Sequence, residues 1–186
     1  MRLFVAVHLS AEIRERLATV QDRLRRAQAD VSWVKPGNLH ITLKFLGETE
    51  PTRLDRIRPA LADGAQNVAA FAAEVAGVGT FGGRIPRVVW VGVRDGAEPL
   101  AALAGAVEDA LAGVGFPRER RGFTAHFTLG RVRSPRNIEA LLDALRAEPA
   151  DGFGTARVDQ VSLMESVLDP AGSIYTVRDR FSLRST

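Results

Sequence analysis

Two copies of one tetrapeptide pattern, HITL at residues 40–43 and HFTL at residues 126–129, decide the predicted fold of this 186-residue chain. The chain has three histidines, and two of them open these tetrapeptides, followed two positions later by threonine and three positions later by leucine. From average residue usage, the chance of that coincidence is on the order of 1 in 10,000. The duplication therefore indicates that the two histidines work as a pair.

The alternation inside each tetrapeptide is typical of a β-strand, in which residues i and i+2 point to the same face. In each copy the histidine and the threonine share one face, and the apolar residues point to the core on the other. Two such strands facing each other would place the pairs His40/Thr42 and His126/Thr128 around one site. That site would hold two titratable rings and two hydroxyl donors.

This set of side chains suits phosphodiester chemistry. A neutral imidazole can accept a proton from water, and an imidazolium can donate one to a leaving alkoxide, because the ordinary histidine pKa of roughly 6.5 lies near working pH. The hydroxyls of Thr42 and Thr128 can donate hydrogen bonds to phosphoryl oxygens as negative charge develops. No metal or other cofactor is needed if protein donors stabilise that charge.

Composition excludes several other classes. The chain has no cysteine, which rules out disulfides, thiolate nucleophiles and cysteine-based metal sites. No apolar run is long enough for a membrane span, and the N-terminus does not resemble a signal peptide, so we expect a cytoplasmic protein without a membrane partner. The net charge is +3, with 25 basic and 22 acidic residues, which is too small an excess for a protein that coats nucleic acid.

The hydrophobic pattern predicts alternating strands and helices in one α+β domain over residues 1–186, without a glycine-rich phosphate loop. The predicted strands are 2–8, 39–46, 71–78, 87–93, part of 122–132, 158–165 and 173–183. The predicted helices run from Ser10 as N-cap to about Ala29, from Pro51 to about Val68, over 97–113 and over 135–145. A loop over 35–38 and a turn-rich stretch over 79–86 connect them.

Two plainer interpretations compete with a histidine pair. A single histidine on a strand is usually structural, and we expect this of His8. Two histidines with a carboxylate could instead bind a metal ion. The chain has no His-x-His or His-Glu-x-x-His spacing, and neither tetrapeptide contains an acid, so a metal site is the weaker hypothesis.

The residues around both tetrapeptides resemble a known family. The tetrapeptides resemble the H-x-[TS]-x motifs of the 2H phosphoesterase superfamily. Further segments resemble the bacterial and archaeal RNA 2′,3′-cyclic phosphodiesterases, long called 2′-5′ RNA ligases. These segments are the opening strand 2–7, the first-motif region 33–47, the second-motif region 126–131, the stretch 163–166, and Gly172 with Tyr175.

The resemblance implies a bilobal fold in which two α+β lobes, each with an antiparallel sheet, face each other across a central cleft with helices outside. It also implies hydrolysis of a 2′,3′-cyclic phosphate at an RNA end, such as that of a tRNA fragment, to a 2′-phosphate, with weak 2′-5′ ligation when a 5′-hydroxyl takes the place of water. By motif position, His40 would protonate the 3′-oxygen leaving group and His126 would activate water. We expect a monomer that uses no metal.

Two further positions come from the same resemblance. Phe45 and Arg131 each lie five residues after their histidine, where the family has an aromatic and a basic residue near the base and the phosphate. Strict strand alternation would put both on the face opposite the histidines, so they reach the site only if each strand bends. The family also commonly has proline before the second histidine, where this chain has Ala125.

Other functions remain compatible with these motifs. A different 2H phosphodiesterase, acting for example on ADP-ribose cyclic phosphate, would share the same acid–base core and differ only in the walls of the pocket. A non-catalytic RNA- or nucleotide-binding module is a hypothesis of another class. The two intact His-x-Thr motifs, at 40–42 and 126–128, argue against it.

Overall fold

A computed structural model describes residues 1–170 and 172–185, and in this part of the chain it has nine strands and four α-helices. The strands are β1 (Arg2–His8), β2 (Val31–Trp33), β3 (His40–Glu48), β4 (Phe71–Phe81), β5 (Val88–Val93), β6 (His126–Val132), β7 (Gly154–Val158), β8 (Gln160–Val167) and β9 (Ile174–Ser182). The helices are α1 (Ala11–Arg25), α2 (Leu54–Gln66), α3 (Ala97–Ala112) and α4 (Ile138–Arg146). None of these helices is long and apolar enough to cross a membrane.

The strands form two sheets, which we call sheet A and sheet B. Sheet A has the strand order β3-β1-β8-β9, and sheet B has the order β2-β6-β5-β4-β7. All neighbouring strands in both sheets pair antiparallel. Each sheet carries one tetrapeptide, on β3 in sheet A and on β6 in sheet B, so the predicted fold of two antiparallel sheets around a cleft is confirmed.

The two sheets do not correspond to the two halves of the chain. β4 and β5 precede the midpoint but belong to sheet B, while β8 and β9 near the C-terminus complete sheet A. The helices show the same exchange, because α1 follows a strand of sheet A yet contacts β7 of sheet B and α4, whereas α3 contacts α2 and β3. Neither lobe is therefore complete without residues from both halves.

Most buried side chains belong to one apolar cluster that includes residues of both sheets and all four helices. On β1, Leu3, Val5 and Val7 belong to this cluster, while Phe4 and Ala6 alternate with them and form a second, small cluster with Met164 on the other face. Both faces of this central strand are thus covered, and the second face is the one that carries the site.

The element boundaries differ from the predicted ones where tertiary contacts decide them. β2 and β7 were missed because they are only three and five residues long and become strands by pairing with β6 and β4. α1 ends at Arg25, not near Ala29, since Gln28 takes the left-handed conformation with φ of 53°. The chain from residue 36 to residue 38 forms one 3₁₀ turn inside the predicted loop.

The turn-rich stretch predicted from residue 79 begins later than expected, because β4 continues to Phe81. Glycine at position 79 is required by packing. The ring of Trp90 lies so close that a Cβ atom on Gly79 would be 2.4 Å from it. A glycine that the sequence pattern assigns to a turn is here a strand residue that leaves room for a neighbouring aromatic ring.

Candidate active site

The first tetrapeptide lies on β3 with its polar residues on the cleft face of sheet A. Ile41 and Leu43 are buried, and His40 and Thr42 are half-buried, as the alternation predicts. After Leu43 the alternation breaks, because Lys44 is also buried. The register against β1 shifts at this point by one residue, which is a β-bulge.

The bulge decides the position of Phe45. Leu43 and Lys44 both point inward, which reverses the alternation for the rest of the strand. A residue five positions after His40 therefore lies on the same face as His40. Phe45 is accordingly 59% exposed and lines the same cleft as His40 and Thr42. The strand bend that the sequence analysis required is present, and core packing of Phe45 is excluded.

β6 repeats this geometry in sheet B. Phe127 and Leu129 are buried, and Gly130 is buried next to Leu129 at the same offset from the histidine as Lys44. The register against β5 again shifts by one residue, between Val89 and Trp90. Arg131 therefore lies on the same face as His126 and Thr128, and all three line the cleft.

Both histidine rings are held by their own strands. The Nδ1 atom of His40 lies 2.7 Å from the carbonyl oxygen of Asn38, and the Nδ1 atom of His126 lies 2.7 Å from that of Thr124. A carbonyl oxygen only accepts, so Nδ1 carries the hydrogen in both rings. The Nε2 atoms are then the nitrogens that can accept a proton from substrate or, once protonated, donate one.

Thr42 is bonded to its histidine in this state. Its Oγ1 atom lies 2.9 Å from His40 Nε2, and since that nitrogen is unprotonated in the neutral ring, the hydroxyl donates. A substrate phosphate in the cleft would compete for both groups. The structure gives Thr128 no matching bond to His126.

Aromatic rings fix the orientation of each imidazole. The ring of Phe4 lies 4.9 Å from that of His40, and Tyr175 meets His40 edge-on at 5.4 Å. In sheet B, Phe81 meets His126 edge-on at 4.8 Å. Such tilted and edge-to-face contacts are favourable for aromatic rings, so each histidine is held by a hydrogen bond and by packing.

The cleft between the sheets has a volume of about 440 Å³ and brings together all six residues named from the sequence: His40, Thr42, Phe45, His126, Thr128 and Arg131. It also has lining residues that the sequence analysis did not assign to a site, namely Arg2, Phe4, Asn38, Lys44, Glu119, Ser166 and Tyr175. Of these, Phe4 was predictable from its alternation with the core residues of β1. Tyr175 lay in a segment of family resemblance but gave no signal of a site role.

Lys44 joins β3 to α3 and to the segment after α3, beneath the site. Its side chain is 1% exposed, and its Nζ atom donates to both carboxylate oxygens of Glu108 at 2.9 and 2.8 Å and to the carbonyl oxygen of Pro117 at 2.8 Å. Glu108 lies on α3, and Pro117 lies in the segment that leads into β6. This ion pair therefore links the first motif strand to the approach of the second.

The surroundings of His40 keep its ring uncharged. Burial is the largest cause that lowers the pKa of His40 to about 4, and the proximity of His8 and His126 lowers the pKa further. The hydrogen bond to the Asn38 carbonyl acts in the opposite direction. A negatively charged phosphate in the cleft would raise this pKa, because an adjacent anion favours the imidazolium form.

The site offers no constellation of metal ligands in the part of the chain that the structure describes. Among residues 1–170 and 172–185, no three histidine, aspartate or glutamate side chains converge in a way that could hold a metal ion. The residues that line the cleft beside the histidines include hydroxyl, guanidinium and aromatic groups, together with the carboxylate of Glu119.

Sequence comparison assigns the family. Residues 13–170 match the model of the 2′-5′ RNA ligase superfamily, and the chain belongs to this superfamily, as the two motifs indicated. It is 37% identical over 184 residues to the RNA 2′,3′-cyclic phosphodiesterase of Methanothermobacter thermautotrophicus, with 98% of this chain and 99% of the relative covered. It is 39% identical over 176 residues to the protein of that name from Archaeoglobus fulgidus, covering 94% and 96%.

Solved structures show the same architecture over the whole length. A Thermus thermophilus protein superposes with a TM-score of 0.81 at 31% identity, covering 100% of this chain and 99% of that one. The Escherichia coli LigT protein in complex with 3′-AMP superposes with a TM-score of 0.77 at 29% identity, covering 98% and 97%. The bilobal fold is therefore shared with proteins of the same family.

Proposed function

We propose that this protein hydrolyses 2′,3′-cyclic phosphates at RNA ends to 2′-phosphates by acid–base catalysis between His40 and His126, without a metal ion. The observation that carries the proposal is the matched anchoring of the two rings. Each has Nδ1 bonded to the backbone carbonyl two residues earlier, which leaves Nε2 as the nitrogen that can meet substrate, and both line one cleft. Relatives that bear the name RNA 2′,3′-cyclic phosphodiesterase support the same substrate class.

The reaction would proceed by in-line displacement at phosphorus. One imidazole takes a proton from water as the water oxygen forms its bond to phosphorus, and the other imidazole gives a proton to O3′ as the P–O3′ bond breaks. Thr42, Thr128 and Arg131 would donate to the phosphoryl oxygens as their charge increases. Weak 2′-5′ ligation would use a 5′-hydroxyl in place of water, whose oxygen forms its bond to phosphorus as the P–O3′ bond breaks and O3′ takes up the proton.

The sequence-based assignment makes His40 the acid and His126 the base. The acid must be an imidazolium, so this assignment requires bound phosphate to raise the pKa of His40 well above its value of about 4 in the free protein. The lowered pKa favours a second candidate, in which neutral His40 is the base and His126 is the acid. This candidate needs no change in the pKa of His40.

A substrate with an activated leaving group at the 3′ position decides between the two assignments. Such a leaving group departs without protonation, so loss of the acid matters less than loss of the base. With His40 as the acid, His40→Ala retains more activity on the activated substrate than His126→Ala does. The opposite ranking supports His40 as the base, and equal losses on both substrates would remove the support for either assignment.

The function itself is tested with adenosine 2′,3′-cyclic phosphate in EDTA, with the product identified by chromatography. We expect 2′-AMP at a rate that EDTA does not change. Formation of 3′-AMP would contradict the proposed leaving group, and loss of activity in EDTA would contradict metal independence. Parallel turnover of ADP-ribose cyclic phosphate separates this function from that of another 2H phosphodiesterase, and binding without turnover by the wild type would indicate a non-catalytic module.

A further inference from the structure

A second cavity, of about 300 Å³, adjoins the catalytic cleft on the side of sheet A. It shares three lining residues with the cleft: Asn38, His40 and Tyr175. The ring of His40 thus stands between the two spaces. A ligand group in the second cavity would lie next to the reacting phosphate but apart from it.

The remaining polar residues of this cavity come from three elements and the start of β8. His8 ends β1 directly opposite His40 in the antiparallel register, Arg14 lies in the first turns of α1, and Arg180 lies on β9 opposite Ser162. Gln160 completes the polar lining, and no acidic residue takes part. The fold has therefore gathered two guanidinium groups, an imidazole and an amide around one small space.

The side chains of Arg14 and Arg180 and the Nε2 atom of His8 have no partner in the described part of the chain. Within residues 1–170 and 172–185, neither Arg14 nor Arg180 makes a side-chain hydrogen bond or ion pair, whereas Arg23 and Arg58 each pair with an acid. The Nε2 atom of His8 is buried and has no hydrogen-bond partner in the same part of the chain. A buried polar atom without a partner is costly, and it marks a place where a ligand would supply the missing bond.

The electrostatics of the cavity oppose a cation and favour an anion. Burial, followed by the nearby charges of Arg180 and Arg14, lowers the pKa of His8 below its ordinary value. An anion between these groups would relieve the repulsion and accept hydrogen bonds from all three. Phosphate fits this requirement, since guanidinium groups bind its oxygens through charged and often bidentate bonds.

We propose that this cavity, which we call the His8 subsite, binds the phosphate on O5′ of the terminal nucleotide, the nucleotide whose cyclic phosphate is opened. The proposal rests on the proposed function and makes it more specific. The preferred substrate is an RNA end with a phosphate upstream, and a free nucleoside 2′,3′-cyclic phosphate lacks one of the two anchoring groups. Because the cleft and the His8 subsite share the wall at His40, the two phosphates of one terminal nucleotide would lie on either side of this ring.

Three substrates test the subsite: adenosine 2′,3′-cyclic phosphate, its 5′-phosphorylated form, and the dinucleotide ApA with a 2′,3′-cyclic end. For the wild type we expect kcat/KM to be roughly tenfold or more higher for the two compounds that carry an upstream phosphate. We call the kcat/KM with an upstream phosphate divided by that without one the phosphate ratio. This ratio should decrease in each of the variants Arg180→Gln, Arg14→Gln and His8→Gln, and it should be close to one in the Arg14→Gln/Arg180→Gln double variant.

Two controls separate the subsite from general charge effects. Arg56→Gln removes the same charge from an exposed position on α2 and should leave the ratio unchanged. Arg84 and Arg87 line a groove on the opposite side of the cleft, next to His126. If Arg84→Gln and Arg87→Gln abolish the ratio while the His8 subsite variants preserve it, the upstream strand lies in that groove and the proposal is wrong.

A binding measurement keeps the subsite testable if the proposed reaction fails. Wild-type turnover of adenosine 2′,3′-cyclic phosphate tests the function alone. Binding of 5′-AMP compared with adenosine, in the wild type and in Arg180→Gln, tests the subsite, because a phosphate held only in the catalytic cleft would keep its advantage in the variant. We expect calorimetry to show tighter binding of 5′-AMP, and this advantage should be lost in Arg180→Gln with the fold intact by circular dichroism. Equal affinities for 5′-AMP and adenosine in the wild type would overturn the proposal.

Discussion

The motif strands β3 and β6 have the same local construction but different surroundings. Both carry a histidine bonded through Nδ1 to the carbonyl two residues earlier, both bulge after the leucine, and both return the fifth residue to the cleft. Around His40, however, Phe4 and Tyr175 enclose the ring and Thr42 occupies its Nε2 atom. His126 has a single aromatic neighbour, Phe81, in ring contact among the described residues.

This difference explains how a duplicated motif can supply two unlike groups. The backbone anchor gives both rings the same tautomer, while the walls around each ring set how readily it takes up a proton. An acid–base pair needs two rings of similar reach and different proton affinity. Variants at matched positions of the two strands therefore measure how far the lobes have diverged.

Removing either imidazole should have the largest effect on activity. We expect His40→Ala and His126→Ala each to reduce kcat for 2′,3′-cyclic nucleotides about 10²- to 10⁴-fold, the typical contribution of one positioned proton-transfer group. The double variant should lose little more than the worse single variant, since the two groups act as a unit. Steady-state kinetics on all three proteins tests this, and a single variant with near wild-type kcat would remove that histidine from the mechanism.

The second comparison concerns the bulged residues, Lys44 in β3 and Gly130 in β6. Lys44→Met leaves the carboxylate of Glu108, 16% exposed, without its partner, and breaking a buried pair in this way typically costs about 3–5 kcal/mol. Gly130 has no side chain to pair, and the side chains of Val31 and Trp33 occupy the space where its Cβ would lie. Urea unfolding of the wild type and the variant measures the loss of unfolding free energy.

An exposed ion pair provides the control for this loss. Arg146 and Asp143 pair on the surface of α4 with side chains 67% and 73% exposed, and Arg146→Gln should change the unfolding free energy by no more than about 1 kcal/mol. Similar losses in Lys44→Met and Arg146→Gln would mean that the buried pair of Lys44 and Glu108 contributes no more than a surface pair.

The threonines should come next in effect. Thr42→Val and Thr128→Val keep the shape of the side chain and remove the hydroxyl, and loss of one such donor typically costs about 10²- to 10³-fold in kcat. We expect Thr42→Val to reduce kcat less than Thr128→Val does. In the wild type the Thr42 hydroxyl must break its bond to His40 Nε2 before it can donate to the phosphate, so less is lost when it is removed. Equal or reversed losses would show that this bond imposes no cost on substrate binding.

The hydrophobic pattern predicted an α+β domain, and the family resemblance implied its two facing sheets. The tetrapeptides placed His40, Thr42, His126 and Thr128 on one face of their strands, and the structure brings these four residues into one cleft. Strand period places histidine and threonine on one face, and the core residues behind them fix which face that is. The bulges were not predictable from one sequence, since a lysine next to Leu43 gives no sign that it is buried. Only the contact of Lys44 with Glu108 explains why that position is buried.

The second cavity was equally hidden from the sequence. The sequence predicted a structural role for His8. Its backbone does pair with that of His40 in sheet A, but its ring lines the second cavity. Arg14 and Arg180 lie near opposite ends of the chain, so the sequence does not suggest that they meet. The chain is also rich in arginine, so neither residue is conspicuous. The order β3-β1-β8-β9 brings the strand of Arg180 near the strand of His8, and α1, which follows β1 in the chain, adds Arg14.

The pH dependence of stability should show a smaller effect, confined to acid. The folded-state pKa of His40 is about 4, below its ordinary value of about 6.5, so the unfolded chain binds the proton more readily. Stability is then unaffected at pH 7 and falls as the pH decreases from about 6.5 to 4, by roughly 2–3 kcal/mol in total. Urea unfolding of the wild type and His40→Gln at pH 7 and pH 4.5 measures this, and an equal decrease in both proteins would contradict it.

The smallest effects are expected at the fifth positions, where Phe45 and Arg131 occupy equivalent places on the two strands. Arg131→Ala should reduce kcat/KM about tenfold for every 2′,3′-cyclic nucleotide, because a guanidinium recognises the phosphate that all of them share. Phe45→Ala should also cost about tenfold, but with a larger loss for purines, because stacking on an aromatic ring scales with the area of the base. Kinetics with the adenosine, guanosine, cytidine and uridine substrates separates the two roles. A base-dependent loss in Arg131→Ala, or a uniform loss in Phe45→Ala, would show that the two lobes do not divide phosphate and base recognition between them.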